Sequence, residues 1–412
     1  MAITSEIKVH LVHDLIPFWL SLKDEENGGY YGYVDSKSKI DRKADKGCVL
    51  NSRIMWAMSS CYKLCIDGAL SETKLQDVGY SSLDILEAAR CAYEYFRDHF
   101  VDMEFGGIFW SVTYDGQPAD TTKHTYNHAF AIYALCAYYE VSGDKEAFKL
   151  AYYLKNCIEN TMADEYGYVD SFARDFTPDK NPLLSENGVT AYRSMNTHIN
   201  VMEAYSELYR INKETKDQFI KRKIYKALDI HATRIYNPAK GRQEVFFDRE
   251  YNSLIDLYSP GHDIEVAWML DKICENVADP DLTARENPIS RTIESSVLNY
   301  AFDGASLVLE FENGVASEYR HWWGQAEAVV GFINAYMHTG DKRYKQAARA
   351  EWEFIKKYVI EKQRPAEWTY EVTADGTPNL DKALVSPWKC PFHNIRMCIE
   401  IIRRQERFDD LF

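Results

Sequence analysis

Two adjacent stretches, WGQAEAVVGFINAYM (323–337) and DKRYKQAARAEWEFIKKYVIEK (341–362), carry opposite hydrophobic patterns. The first is apolar almost all round at helical spacing, as a helix buried on every side must be. The second gathers Tyr344, Ala348, Trp352, Ile355 and Val359 on one face and charge on the other, which marks a helix lying between a core and water. HAFAIYALCAYY (128–139) repeats the first pattern, and the two kinds alternate along the whole chain. The periodicity predicts twelve helices, at 5–23, 48–66, 80–99, 123–141, 144–161, 191–211, 217–236, 261–276, 281–299, 321–339, 341–361 and 391–404. The even-numbered helices belong inside and the odd-numbered ones outside.

The connections repeat as well. Each outer helix is followed by a glycine- or aromatic-rich segment with strand-like alternation: ENGGYYGYVD, EFGGIFWSVTYDG, EYGYVDSFARDF, GRQEVFFDREYN, DGASLVLEFENG and AEWTYEVTADGTP. Their marker residues Gly28, Gly106, Gly167, Gly241, Gly304 and Ala366 recur at intervals of 61 to 78 residues. Six helix–hairpin–helix units of similar length describe a repeat architecture. Closed on itself, it is an all-α (α/α)6 barrel with short β-hairpin loops. No Pro/Gly/Ser-rich linker or charge block divides the chain, so residues 1–412 are expected to form one domain.

Composition narrows the function. The 412 residues carry 48 Lys plus Arg against 63 Asp plus Glu, a net charge of -15, which disfavours nucleic acid and anionic lipid as partners. No apolar run approaches the ~20 residues of a membrane helix. The opening MAITSEIKVH lacks a secretory leader's apolar stretch. The 9 cysteines form no CxxC pair and sit mostly in apolar stretches, as free thiols of a reducing cytoplasm do. The 14% aromatic content suits sugar faces but equally a large core.

In such a barrel the N-terminal ends of the inner helices meet at one mouth. They carry Arg53; His124, Tyr126 and His128; Asn196, His198 and Asn200; His262, Asp263, Glu265 and Trp268; Trp322, Trp323, Gln325 and Glu327; and Trp388, His393 and Arg396, with His321 beside them. A histidine on a buried helix is usually a hydrogen-bonded core residue. His262 and His393 stand out because each opens a helix among tryptophans and acids. Glu265, one turn after His262, is placed to orient that imidazole or to complement the helix dipole. Trp268, Trp323 and Trp388 are sugar platforms or core. Arg53, alone in an apolar helix, needs an acceptor, either substrate oxygen or a carboxylate. His124 and His128 are four apart, but no third ligand is spaced beside them, so no metal is expected. The glycine-rich segments lead into strands rather than helices and are not phosphate loops.

At these residues the chain resembles the N-acylglucosamine 2-epimerase superfamily, and within it the cellobiose 2-epimerase branch. The resemblance rests on DEENGGYYGYVD, DRKADKG, SRIMW, KHTYNHAFAIYAL, LSENG, GHDIEVAWML, WWGQAEAVVGFINAY and PWKCPFHNIRMC, in that order over almost the whole chain. It implies an (α/α)6 barrel and a small sugar as partner. It also implies His262 and His393 as acid/base pair, Glu265 as the carboxylate partnered with His262, Glu327 as a further essential carboxylate and Arg53 near the reacting oxygens. Trp268, Trp323, Trp388, Tyr126 and Asn196 would contact substrate, and Asn200 would stand where many members of the branch have a histidine. Asn200 can donate and accept hydrogen bonds but cannot shuttle a proton, which removes an accessory ring-opening role there.

The chemistry expected from that resemblance is inversion at C2 of an open-chain aldose through an enediolate, using two imidazoles and a cation for the oxyanion, with no cofactor. Cellobiose, and lactose after it, are the expected substrates. Free mannose or N-acylglucosamine is the nearest alternative. A glycoside hydrolase using Glu265 and Glu327, or a sugar-binding barrel without turnover, is more distant. Oligomeric state, monomer or homodimer, is not legible.

Overall fold

The computed structural model describes residues 3–179, 187–212 and 217–407. Its helices are α1 (Ile3–His10), α2 (Ile16–Leu20), α3 (Cys48–Ile66), α4 (Glu72–Gln76), α5 (Ser82–Tyr95), α6 (Thr125–Ser142), α7 (Lys145–Cys157), α8 (Met195–Ile211), α9 (Gln218–Ile230), α10 (Pro260–Val277), α11 (Pro280–Tyr300), α12 (Trp322–Thr339), α13 (Lys342–Phe354) and α14 (His393–Arg407). The inner helices α3, α6, α8, α10, α12 and α14 pack in that order, and α14 returns to α3, closing an (α/α)6 barrel. The outer layer is α1 with α2, then α5, α7, α9, α11 and α13. The expected inner and outer assignments hold; the short α4, between α3 and α5, was not expected.

At the closed end, sequence dictates tight turns. Gly143 and Gly340 end α6 and α12 in the left-handed region, with φ 70° and 69°. Asp144 and Asp341 then cap α7 and α13 by accepting the backbone N–H of Glu146 and of Arg343. Asp217 and Asp279 do the same for α9 and α11.

Four outer helices, α5, α7, α9 and α13, end differently. The last turn widens to a π-helical turn at Phe96–Phe100, Ile158–Met162, His231–Ile235 and Ile355–Val359. The wider turn inserts one residue into the helical phase. Phe100, Met162, Ile235 and Val359 all end up fully buried. A fifth such turn, Leu11–Leu15, splits the first outer helix just ahead of Pro17, which has no N–H to donate back into a regular turn.

At the open end each outer helix runs into a hairpin, closed by bridges such as Lys23–Tyr30, Val101–Ile108, Ala163–Tyr168 and Ile360–Trp368. The strand before each inner helix then pairs with the next unit: Lys46–Gly47 with Ser111–Val112, Lys123–His124 with Ser171–Phe172, Arg193–Ser194 with Phe246–Phe247, and Tyr319–His321 with Glu371–Thr373. A Val34–Val385 bridge joins the sixth unit to the first. Five units also hold an ion pair from the hairpin to the segment entering the inner helix, its cation buried in every case: Lys46–Asp24, Lys123–Asp102, Arg193–Asp164, Arg320–Asp303 and Lys389–Glu367, at 2.6 to 2.9 Å. These pairs fix where each inner helix begins, and therefore where its first side chains point.

α10 and α12 approach closely because glycine allows it. A Cβ on Gly331 would lie 2.4 Å from Ile264, and one on Gly261 would lie 2.7 Å from the Trp323 ring. That approach brings His262 and Trp323 together.

Candidate active site at the barrel mouth

The N-terminal turns of all six inner helices open into one cavity, with about 1110 Å³ of atom-free space continuous with solvent. Its wall includes Arg53 from α3, Tyr126 from α6, Asn196 and Asn200 from α8, His262 and Glu265 from α10, Trp322 and Trp323 from α12, and Trp388 and His393 leading into α14. Residues of the connecting segments and their short strands complete it, among them Asn187, Phe246, Glu310, His321 and Tyr370. The sequence reading gave no role to Asn187, Phe246, Glu310 or Tyr370, because the segments that carry them have no helical periodicity to single out a cavity-facing side chain.

The two expected histidines flank Trp323, with ring centroids 4.5 Å (His262) and 5.6 Å (His393) from it. Their rear nitrogens are held differently. His393 Nδ1 lies 2.7 Å from Glu327 Oε1, whereas His262 Nδ1 lies 2.8 Å from Ser259 Oγ. Ser259 precedes α10 as a capping serine would, yet its side chain makes no cap bond and serves His262 instead. Burial lowers His262 below the ordinary imidazole range, against the pull of Glu265 and Glu327. Burial, with Arg396, Arg53 and His262 as positive neighbours, lowers His393 further, against the pull of Glu265.

Behind His393 sits Arg396, one turn along α14 and 1% exposed. It donates through Nη2 to Glu265 and to Glu327 Oε1 (2.6 Å), and through Nη1 to Glu203 Oε1 (3.1 Å). Its guanidinium lies 4.2 Å from the Phe392 ring centroid and 5.0 Å from that of Trp268. Burial pushes Glu203 up to about 7 and raises Glu327, both against the Arg396 charge. Glu265, Glu327 and His393 bring three ligand-type atoms within 4.8 Å of one another. The guanidinium of Arg396 is a cation that Glu265 and Glu327 already hold. Arg396 and Glu203 were not given roles from sequence. Their signal was present: His393/Arg396 and Asn200/Glu203 are both i,i+3 pairs on cavity-facing helix turns.

Two expectations need correction. Glu265 does not orient His262; a guanidinium is the stronger partner, and its carboxylate turns to Arg396, 4.0 Å from His393 Nδ1. Trp268 does not face a sugar. It is 2% exposed, lies beneath Arg396, and donates its indole N–H to Glu327 Oε2 at 3.0 Å. Glu327 itself stands behind the wall, tethered to His393, Arg396 and Trp268.

Arg53 is bonded to no carboxylate among the described residues. Its Nη2 donates to the Tyr126 hydroxyl (2.6 Å), its Nη1 to Trp388 O and Cys390 Sγ, and Phe130 lies 4.2 Å from its Cζ. The charge therefore remains available to a substrate oxygen. Asn200 donates to Asn196 Oδ1 at 2.9 Å, so the pair acts as one polar patch.

Other mouth histidines turn away. His128 Nε2 accepts from Ile108 N–H, so its Nδ1 must donate to His124 O. His198 Nε2 donates to Ala227 O. His124 packs on Trp110 at 4.5 Å. All three are buried core groups.

An (α/α)6 barrel whose mouth presents imidazoles, a guanidinium with no carboxylate partner among the described residues and aromatic faces suits a carbohydrate-active enzyme. Residues 29–393 match the N-acylglucosamine 2-epimerase (GlcNAc 2-epimerase) family, and the chain belongs to that family. It is a carbohydrate epimerase, an isomerase. The chain is 43% identical over 402 residues to a cellobiose 2-epimerase of Ruminococcus albus, covering 97% of this chain and 98% of the relative. Among solved structures, a sugar epimerase from a ruminal bacterium superposes with TM-score 0.91 at 42% identity, over 98% of this chain and 99% of the other. Cellobiose 2-epimerase from Bacillus thermoamylovorans superposes with TM-score 0.88 at 36% identity, over 97% of this chain and 99% of the other.

Proposed function

We propose that the whole chain forms one catalytic domain that inverts C2 of the reducing-end glucose of β-1,4-linked disaccharides, converting cellobiose to glucosyl-mannose and back. One observation carries the reading: two imidazoles face one cavity from either side of Trp323, each with its rear nitrogen already bonded. Such a pair suits proton removal on one face of C2 and proton return on the other.

The steps follow from the residues. Once the sugar ring is open, the proton next to the aldehyde is acidic enough for an imidazole to take. His393, neutral because of burial, accepts that proton at Nε2 while its Nδ1–H stays on Glu327, which stabilises the imidazolium. Negative charge moves to the C1 and C2 oxygens of the enediolate, where Arg53 supplies an uncompensated cation and Tyr126 a hydroxyl. His262, its Nδ1 bonded to Ser259, returns a proton to the opposite face in the fraction of enzyme in which it carries one, a fraction that burial reduces. One proton is shared between the two histidines, and the reverse reaction exchanges their roles. The sequence is redox-neutral and needs no cofactor for balance. Trp323 and Trp388 offer faces for sugar rings, and Asn196 with Asn200 offers polar contacts. Nine free thiols, six of them buried, suit work in a reducing cytoplasm. Among the described residues no helix is long and apolar enough to cross a membrane.

The test is incubation with cellobiose in deuterated buffer, followed by NMR. Glucosyl-mannose carrying deuterium at C2 is expected. Turnover of free mannose but not of cellobiose would transfer the reading to a monosaccharide epimerase, and release of glucose would replace it with hydrolysis.

A further inference from the structure

C2 chemistry needs an open-chain sugar, whereas cellobiose in water is almost wholly cyclic at its reducing end. Opening the ring moves one proton from the O1 hydroxyl to O5 as the C1–O5 bond breaks and C1=O forms. Both oxygens are bonded to C1, so one group with an accessible nitrogen can collect the proton from the first and deliver it to the second. Charge is unchanged overall.

A third imidazole lines the cavity. His321 closes the strand Tyr319–His321 and directly precedes α12, on the same wall as Trp322 and Trp323. Its construction parallels that of His393. His321 Nε2 is 2.5 Å from Glu371 Oε2, a buried carboxylate. Glu371 Oε1 in turn accepts from Asn379 Nδ2 at 2.6 Å. The Tyr370 ring stands edge-on to His321 with centroids 5.1 Å apart. Strand pairing of His321 with Glu371 sets this dyad in the backbone itself. Other titratable groups on the wall are engaged: Glu265 holds Arg396, and Glu310 is within reach of Asn187. Asn200 cannot carry a proton.

We propose that His321, backed by Glu371, is the acid–base group that opens and closes the sugar ring, leaving His262 and His393 for C2. This inference rests on the epimerase reading above. It separates two activities that one site would otherwise share: anomer exchange and C2 exchange.

The experiment measures both on cellobiose with the full-length protein, using exchange NMR for the anomers and deuterium incorporation for C2. The double variant H262N/H393N should lose C2 exchange yet still accelerate anomer exchange. H321N should lose about tenfold or more of that acceleration. In H321N the rate of epimerisation should no longer respond to deuterium at C2 of the substrate, because ring opening has become limiting. E371Q keeps the imidazole and the backbone pairing, so it guards against a folding artefact. It should reduce anomer exchange while leaving the fold intact. H321N with undiminished anomer exchange, or H262N/H393N without any, would overturn the proposal. A wild-type protein that incorporates no deuterium into cellobiose would overturn the epimerase reading instead.

Discussion

His393 and His128 both lie at the N-terminal ends of inner helices, yet one borders the cavity and the other is locked in the core. The difference is helical phase. On α6 the cavity residues are Tyr126 and Phe130, and His128, two residues after Tyr126, is rotated by about 200° towards the hairpin that holds Ile108. On α8 the cavity residues are Asn196 and Asn200, a full turn apart, and His198 between them faces α9. Position along a helix brings a residue to the mouth; phase decides whether it meets substrate or neighbouring helix. The two environments also fix the proton differently. His128 has both nitrogens committed to backbone partners. His393 and His262 each commit only Nδ1 to a side chain.

The sharpest way to break this comparison is to remove imidazoles from both groups. H262N and H393N should each lower kcat for epimerisation by about 10²- to 10⁴-fold, with far-UV circular dichroism unchanged. H128N should keep kcat near wild type while losing about 1–3 kcal/mol of stability in urea titrations, because the Ile108 N–H loses its acceptor. A catalytic loss in H128N matching that of H393N would abolish the distinction.

A second test uses acid. Burial lowers His124 and His198 to about 4 and His128 and His231 to about 3. A histidine whose folded pKa is depressed contributes stability that is fully present above the unfolded value, about 6.5, and is lost as pH falls towards the folded one. Each tenfold loss of proton affinity corresponds to about 1.4 kcal/mol, so the core histidines together should drive acid unfolding between roughly pH 6 and 3. H198Q, which retains a donor for Ala227 O but cannot be protonated, should move the midpoint of acid unfolding downward. An unmoved midpoint would mean that the core histidines do not govern acid stability.

The rear tethers predict smaller effects. E327Q replaces a charged partner of His393 and should cost about 10- to 100-fold in kcat. It should also shift the acid limb of the rate profile to lower pH, since the imidazolium loses its counter-charge. S259A removes only a hydroxyl from His262 and should cost about 2- to 10-fold, the scale of a neutral hydrogen bond. Equal losses in the two variants would show that charge behind the imidazole does not matter.

Much of this was readable in advance because it depends on period. Buried-all-round and one-sided helices alternate in the sequence, and the hairpins recur, so the ring of six units follows. The repeated acid in DEENG, DMEFG and DEYG, which caps its own turn and pairs with Lys46, Lys123 or Arg193, was equally visible once the units are aligned. Partner choice was less legible. Glu265 is one turn from His262 in the sequence, but the competition is settled by Arg396, which arrives from another helix. Trp268 and Trp323 look alike in the sequence; their difference is which layer the helix turn addresses. The π-helical turns were invisible because a single inserted residue hardly disturbs an apolar pattern.

The most direct measurement is C2 exchange by single variants on each epimer separately, cellobiose and glucosyl-mannose, in deuterated buffer. With one base per face, H262N should exchange the C2 proton of one epimer only, and H393N that of the other only. Exchange of the same epimer by both variants, or unimpaired epimerisation in either, would contradict the two-histidine account.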